Sequence, residues 1–225
     1  MDTANIVVFD GHDGCGKSTL ARAVATQIDG QVVKPFGDRL GDHIAWLWRN
    51  RRFDEADKLA RASIERETEL ADPNRPVIFD RHWATMFSVL PEDLWHTWYP
   101  LPLTVICHAE TDVVVARLLE RGEDAGDYNV HAQFQDIYLN LAKLTPASLV
   151  VDTTAQSVDE SVRLVLAFLS GFITSASRAL DEGELPMWAR PGGGVDRAGH
   201  GLPLRRVGDT SLVDRGGDVD GLVAE

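Results

Sequence analysis

The 225-residue sequence contains only two cysteines, Cys15 and Cys107, and no long apolar run. Two cysteines are too few for a disulfide framework and stand in no metal-ligand cluster, so we expect both thiols to be reduced. The longest apolar candidate, residues 162–173, is interrupted by polar residues and is shorter than the ~20 residues that cross a bilayer. No basic stretch precedes the first apolar residues, as it would in a secretory signal. These absences argue against a membrane protein and predict a cytoplasmic one.

The chain also has few basic residues. Its 35 acidic and 22 basic side chains give a net charge of -13. Such a field repels polyanions unless a local basic groove overrides it, so nucleic acid is an unfavourable partner. Most of the basic residues are arginine, and each lysine is therefore a candidate for a specific role. The four lysines are Lys17, Lys34, Lys58 and Lys143.

Glycine divides the chain into two parts. Ten of the 19 glycines lie in residues 181–225, where no helical or strand periodicity is present. This composition predicts a flexible or loosely docked C-terminal tail. We accordingly predict one domain over residues 1–180, followed by a tail over residues 181–225.

Within residues 1–180, apolar runs rich in β-branched residues alternate with amphipathic helical patterns. This rhythm predicts an α/β fold with a parallel sheet covered by helices on both faces. The predicted strands are residues 6–9, 31–33, 77–79, 103–107 and 149–151. The predicted helices are residues 18–27, 40–49, 55–70, a segment after Arg81, and residues 112–120, 130–141 and 158–169.

The most informative segment is residues 11–18, GHDGCGKS, which match GxxxxGK[ST] between an apolar strand and a helical pattern. In that motif the glycines let backbone N–H groups face phosphate oxygens, the lysine neutralises β- and γ-phosphate charge, and the hydroxyl ligates Mg²⁺. The segment therefore predicts a site for ATP and Mg²⁺. Its predicted nucleotide-binding residues are Gly11, His12, Asp13, Gly14, Cys15, Gly16, Lys17, Ser18 and Thr19.

A second motif is residues 76–82, PVIFDRH, an apolar strand that ends in Asp80 and Arg81. Both side chains then emerge at the carboxyl edge of the sheet, where such folds place ligands. There Asp80 can hold Mg²⁺ or accept a proton, and Arg81 can clamp an acceptor phosphate. A surface ion pair at a strand end is the alternative interpretation.

A third feature is the helix end that carries Arg117 and Arg121, followed by the polar residues 123–128. The two arginines are four residues apart and share one helix face. A polar segment behind a basic helix end is typical of a lid that closes over phosphates and excludes water. We add Arg117 to the predicted nucleotide-binding residues.

Five segments in order, residues 9–19, 79–82, 117–122, 138–142 and 151–160, resemble the thymidylate kinase family, and the resemblance covers about residues 5–170. It implies a P-loop three-layer α/β/α fold with a five-stranded parallel sheet and a short lid, a homodimer, and Mg²⁺-dependent transfer of the γ-phosphoryl group of ATP to a deoxynucleoside monophosphate. By position, it implies that Asp13 contacts the acceptor sugar, Arg81 its phosphate, and residues 152–156 the adenine. The predicted catalytic residues are Lys17, Asp13, Asp80, Arg81, Arg117 and Arg121, and the predicted metal ligands are Ser18 and Asp80.

The chain departs from the family pattern mainly around the acceptor. Lys34 stands near a family arginine, and the family's stacking phenylalanine is missing one turn before Arg66. Position 14 is glycine rather than arginine, and residues 124–127 contain no lid arginine, which leaves the transition-state charge to the remaining cations and Mg²⁺. Phe36 and Trp83 are candidate replacement platforms for a base. The predicted acceptor-binding residues are Asp13, Lys34, Phe36, Arg66, Arg81 and Trp83.

Four functions remain open at this point. The first is a thymidylate kinase-like kinase of a small nucleotide, and the second is a kinase of a nucleoside or nucleoside-like metabolite, with an Asp as base. The third is a nucleotide-binding P-loop protein that phosphorylates nothing. A kinase acting within a polynucleotide is disfavoured by the net charge of -13.

Overall fold

A five-stranded parallel sheet forms the centre of the fold in a computed structural model that describes residues 6–181. The strand order is β2-β3-β1-β4-β5, and each neighbouring pair is parallel. The predicted fold class is confirmed. The strands are β1 (Ile6–Asp10), β2 (Gln31–Val33), β3 (Val77–Asp80), β4 (Leu103–His108) and β5 (Ser148–Asp152).

Helices follow the strands in the predicted alternation, and the predicted ends differ from the observed ends by at most two residues, apart from the end of the last helix. That helix reaches Asp181 rather than residue 169. A 3₁₀ segment, Glu92–Trp98, was not predicted, and a second one covers Ala142–Leu144. The helices are α1 (Lys17–Ile28), α2 (Asp38–Arg49), α3 (Phe53–Leu70), α4 (Trp83–Phe87), α5 (Thr111–Glu120), α6 (Tyr128–Leu141) and α7 (Val158–Asp181).

The core has two main parts, one on each face of the sheet. One packs α1, α5 and α7 against apolar side chains such as Phe9 and Val105. The other packs α2, α3, α4 and α6 around Trp83 and Ile106. Strands covered on both faces need near-continuous apolar sequence, which is why β1 and β3 read as apolar runs without alternation.

The carboxyl edge of the sheet gathers the loops that carry the polar motifs. In the registers, Phe9 pairs with Asp80 and His108 pairs with Asp152, so β1, β3, β4 and β5 end near one another. Loops at this edge of an open parallel sheet are where ligands bind. Motifs far apart in sequence therefore meet at one place.

The predicted tail, residues 181–225, lies outside the described residues except for Asp181, and the proposed domain boundary stays a prediction. Among the residues that the structure describes, no helix is both long and apolar enough to cross a membrane.

Candidate functional site

The loop between β1 and α1 is shaped by glycines that no other residue can replace. A Cβ on Gly11 would lie 2.3 Å from the carbonyl oxygen of Cys107 on β4. Gly14 has a φ of 79°, and a Cβ there would lie 2.9 Å from a methyl carbon of Val114 on α5. Both contacts are closer than real side chains allow, and a positive φ is strained for any other residue. Packing against α5 and a positive φ therefore restrict position 14 to glycine in this structure.

Lys17 begins α1 and is buried beneath this loop, with 6% of its surface exposed. Its Nζ donates to the carbonyl oxygen of His12 at 3.2 Å and to Oδ1 of Asp13 at 3.3 Å. Burial lowers the pKa of Lys17, and the nearby charge of Arg81 lowers it further, while Asp13 opposes the change. An ammonium held this way faces the loop in which the motif predicts phosphate groups.

Asp13 joins the phosphate loop to the end of β3. Its Oδ1 accepts hydrogen bonds from Lys17 and from the guanidinium of Arg81, although Arg81 is 68 residues away in sequence. Desolvation in the crowded site opposes ionisation, yet the charges of Arg81 and Lys17 outweigh it and hold the pKa of Asp13 well below its usual value. Asp13 is therefore a permanent carboxylate between two cations.

Asp10, at the end of β1, organises the turn that presents Arg81. It is fully buried and accepts from the backbone N–H groups of His82 and Ala84, both at 3.1 Å, and from Oγ1 of Thr85 at 2.5 Å. Burial raises the pKa of Asp10 to about 6 despite these hydrogen bonds. Arg81 itself has a φ of 82°, a strained value for a side chain larger than glycine, and its N–H donates to the carbonyl of Phe9 at 2.9 Å. A buried polar network maintains this strained backbone.

Asp10 and its partners were not predicted from the sequence. Asp10 is a carboxylate at the end of an apolar strand, as Asp80 is, and this pattern is the signal in the sequence that points to it. Thr85 accepts from Arg81 at 3.4 Å and from the hydroxyl of Tyr138 at 3.2 Å. No spacing in the sequence relates these residues, because Asp10 ends β1, Arg81 follows β3, Thr85 lies on α4 and Tyr138 lies on α6.

Asp80 is buried, and its Oδ2 lies 3.4 Å from Nζ of Lys34. The structure thus brings together Lys34 and Asp80, two residues that the sequence analysis assigned to the same site. Mg²⁺ prefers oxygen ligands and commonly takes only one or two from the protein, with phosphate and water supplying the rest. A buried carboxylate at Asp80 and the hydroxyl of Ser18 in the first turn of α1 are donors of this kind, so these residues fit a magnesium ion.

The other three predicted acceptor residues are placed differently. Phe36 is half-buried against the core cluster of α2 and α3, and the hydroxyl of Ser63 on α3 donates to the carbonyl of Pro35 beside it at 2.6 Å. Arg66 is exposed on α3, and none of the hydrogen bonds or ion pairs of the described site includes it. Trp83 is fully buried, with its indole N–H donating to Thr104 at 2.9 Å. The prediction that Trp83 stacks on a base is wrong, because the core covers both faces of its ring.

On the opposite side of the phosphate loop, Arg117 lines a cavity. Its guanidinium donates to the carbonyl of Gly14 at 3.2 Å and to the carbonyl and hydroxyl of Thr153 at 2.7 and 3.0 Å. Thr153 was not singled out from the sequence, although it lies in the segment predicted to flank adenine. The cavity has a volume of about 350 Å³, and Gly14, Gly16, Thr19, Leu20, Arg117, Glu120, Arg121, Thr153, Gln156, Val158 and Ser161 line it.

The predicted lid, residues 123–128, falls in the loop between α5 and α6, residues 121–127, and in the first residue of α6. Arg121 is exposed, pairs with Glu123 at 2.8 Å, and lines the cavity with Arg117. Asp127 caps α6 by accepting from the N–H of Asn129 at 2.7 Å. Closure of this loop over phosphates stays a prediction.

Comparisons with known proteins found similarity in structure alone. No family model and no curated protein matches the sequence. Thymidylate kinase from Candida albicans is similar over 74% of this chain and 91% of its own, with a TM-score of 0.51 and 15% identity. Deoxyadenosine kinase from M. mycoides, solved with bound dATP, is similar over 73% of this chain and 98% of its own, with a TM-score of 0.53 and 14% identity. A structure of that kinase with the products dCMP and dCDP has a TM-score of 0.52 and 14% identity. The chain therefore has a fold of the thymidylate kinase and deoxynucleoside kinase kind.

Proposed function

We propose that this protein is a kinase that uses ATP and Mg²⁺ to phosphorylate a small nucleotide of the deoxynucleoside monophosphate class. The observation that carries this proposal is the position of Asp13, which accepts hydrogen bonds from both Lys17 and Arg81. Lys17 belongs to the phosphate loop and Arg81 to the end of β3. The predicted donor group and the predicted acceptor clamp therefore lie close together at one carboxylate, and direct transfer between two ligands requires such proximity.

The roles of the residues follow from their charges. Lys17 neutralises charge on the transferred phosphoryl group, and Arg81 holds the acceptor phosphate with two N–H donors. Mg²⁺, held by Ser18 and Asp80, supplies further neutralisation when bound. Arg117 and Arg121, with the residues that line the 350 Å³ cavity, hold the nucleoside part of the donor and add positive charge beside its phosphates.

A kinase of a nucleoside is the second candidate, and the ion pairs of the acceptor side favour it. Arg81 is paired with Asp13, and Lys34 is paired with Asp80. A neutral acceptor can bind beside these pairs, whereas an acceptor phosphate has to replace a carboxylate as the partner of at least one cation. In this alternative Asp13 or Asp80 accepts the proton of the attacking hydroxyl, and Arg81 orients it.

The deciding experiment is turnover of Mg²⁺-ATP, measured as ADP formation, against each ribonucleoside and deoxyribonucleoside and its 5′-monophosphate. Turnover only with monophosphates supports the nucleotide kinase, and turnover only with nucleosides supports the second candidate. ATP binding without turnover on any acceptor contradicts both and supports a nucleotide-binding protein that phosphorylates nothing.

We also propose that the active form is a homodimer in the cytoplasm, which rests on the family resemblance described above. Sedimentation velocity of the full chain tests the assembly, and a monomer at the protein concentration of the activity assay would contradict it.

A further inference from the structure

Two histidines, whose rings have no role in the proposed mechanism, connect the phosphate loop to the loop between α5 and α6. Nε2 of His12 lies 2.6 Å from Nδ1 of His131, although the two residues are 119 positions apart. Nε2 of His131 is hydrogen-bonded to the carbonyl oxygen of Ala125. His131 is buried, and the ring of His12 stacks on Phe134 with centroids 5.3 Å apart. The pair is thus held at the His12 ring by Phe134 and at the His131 ring by the carbonyl oxygen of Ala125.

The partners assign the hydrogens of this chain. A carbonyl oxygen only accepts, so Nε2 of His131 carries a hydrogen that it donates to Ala125. Burial lowers the pKa of His12 to about 4, so its imidazole is neutral at neutral pH. Nε2 of His12 and Nδ1 of His131 share one hydrogen in the bond that joins the two rings. A continuous chain of hydrogen bonds therefore joins His12, His131 and Ala125.

The same His12 also contacts the phosphate-binding lysine. Its carbonyl oxygen accepts from Nζ of Lys17 at 3.2 Å. His12 therefore links the group that binds phosphate, through its backbone, to the loop between α5 and α6, through its ring. Arg121, the first residue of that loop, lines the cavity of the donor side.

Among residues 6–181, no other hydrogen bond connects this loop to the site. Within the described part of the chain, every hydrogen bond of residues 121–127 stays inside residues 118–131. The side chain of Ala125 packs against the core, but an apolar contact of this kind does not orient the loop as a hydrogen bond does. His131 therefore links this loop, through Ala125, to the phosphate loop, through His12.

We propose that His12 and His131 are positioning residues that tie residues 121–127 to the phosphate loop, so that nucleoside triphosphate binding and the position of this loop are coupled. The identity of the bound phosphate rests on the proposed function, whereas the tie between the two loops does not. In the wild-type protein the tie holds residues 121–127 beside the donor site and excludes water from the phosphates.

Amide hydrogen exchange of residues 122–127, read by mass spectrometry in the full chain, tests the tie. His131→Phe keeps a ring but loses both hydrogen bonds, and we expect exchange at least tenfold faster than in the wild type. His131→Gln keeps one acceptor and one donor and is expected to restore slow exchange in part. His96→Phe, at an exposed histidine bonded to the carbonyl of Asp93, is the matched control and should leave this exchange unchanged. Wild-type exchange in a folded His131→Phe protein would overturn the proposal.

Because His131 is buried, its replacement could disturb the fold. His12 is only half-buried, so His12→Phe is a second variant that breaks the bond between the two histidines. It breaks the link to the phosphate loop but leaves the bond from His131 to Ala125 intact. With the wild type, a non-hydrolysable ATP analogue and Mg²⁺ should slow exchange of residues 122–127, and His12→Phe should abolish this slowing. Slowing of equal size in both proteins would overturn the coupling.

A turnover measurement separates positioning from general damage. The readout is the number of acceptor molecules phosphorylated for each ADP formed. If the loop excludes water, His131→Phe lowers this ratio at least fivefold, because hydrolysis competes with transfer, whereas loss of folded protein lowers both rates equally and leaves the ratio unchanged. A wild-type protein without any acceptor turnover would contradict the proposed function and leave the exchange results to decide the tie.

Discussion

The two sides of the phosphate loop hold their cations in different ways. On the donor side, Arg117 donates to the uncharged oxygens of Gly14 and Thr153. On the acceptor side, Arg81 is held by Asp13 and Lys34 by Asp80. A ligand can bind beside Arg117 without displacing a carboxylate from it, although Arg121 in the same cavity is paired with Glu123. A charged ligand at Arg81 or Lys34 has to exchange with the carboxylate that each of them already contacts. If the proposed roles hold, an acceptor phosphate therefore competes with an existing ion pair at Arg81, which a ligand at Arg117 does not.

The largest effect is expected where the two sides meet. Lys17→Ala removes the cation nearest the phosphate groups, and we expect kcat to fall by about 10³-fold, since preorganised charge is the main contribution to phosphoryl transfer. The measurement is steady-state turnover, with circular dichroism to show that the fold is intact. Turnover within tenfold of the wild type would contradict the assignment of the phosphate loop.

Arg81→Ala tests the acceptor side alone. Loss of a charge-assisted clamp on an acceptor phosphate is expected to cost about 2–4 kcal/mol of transition-state stabilisation, or about 30-fold to 1,000-fold in kcat/KM for the acceptor, with little change in ATP affinity. Arg22→Ala, at an exposed arginine on α1, is the matched control. An effect below tenfold would show that no acceptor phosphate is bound by Arg81 and would favour the nucleoside kinase.

Asp10→Asn tests the buried carboxylate that organises the acceptor side. The pKa of Asp10 is raised from 3.8 to about 6 in the folded protein, so folding favours the protonated form. Its contribution to stability is therefore fully present below pH 4 and is lost as the pH rises through 6, by about 3 kcal/mol in total.

We expect the difference in unfolding free energy between the wild type and Asp10→Asn to change by most of this amount, about 2.4 kcal/mol, between pH 4 and 7. Urea denaturation at four pH values measures it, and the contributions of the other titrating groups cancel in the difference. A difference that is independent of pH would show that Asp10 titrates in the same range in the folded and unfolded states.

Phe36→Ala is expected to have the smallest effect. If Phe36 is the platform for the acceptor base, the KM of the acceptor should rise about fivefold to tenfold, and the KM of ATP should stay unchanged. Phe53→Ala, which removes another half-buried ring from the same core cluster, controls for lost packing. Equal changes in both KM values, or the same change in the control, would mean that the ring serves only to pack.

Much of the fold could be predicted because local sequence patterns correspond to it. The apolar strands β1 and β3 lie between helices, so their sequences carry no alternation, and the helices between them carry the helical period. The 3₁₀ segment Glu92–Trp98 was missed because it has no such period and depends on contacts such as that of the Trp98 indole with buried Asp57.

The candidate site was predictable only in part. Lys34 and Asp80 were both assigned to it, and the structure pairs them. Trp83 was assigned wrongly because the sequence pattern, a tryptophan beside a polar motif, is the same whether the ring faces the core or a ligand. Burial decides between the two, and burial is a property of the packed molecule.

The sequence by itself determined the phosphate loop and the alternation of strands and helices, because both depend on residues that are close along the chain. Tertiary structure alone decided that Arg81 meets Asp13 across 68 positions and that His12 meets His131 across 119. Such contacts form when parallel strands end at one edge of a sheet and their following loops converge there. The physical reason is that hydrogen bonds and ion pairs depend on distance in space, whereas a sequence pattern records only distance along the chain.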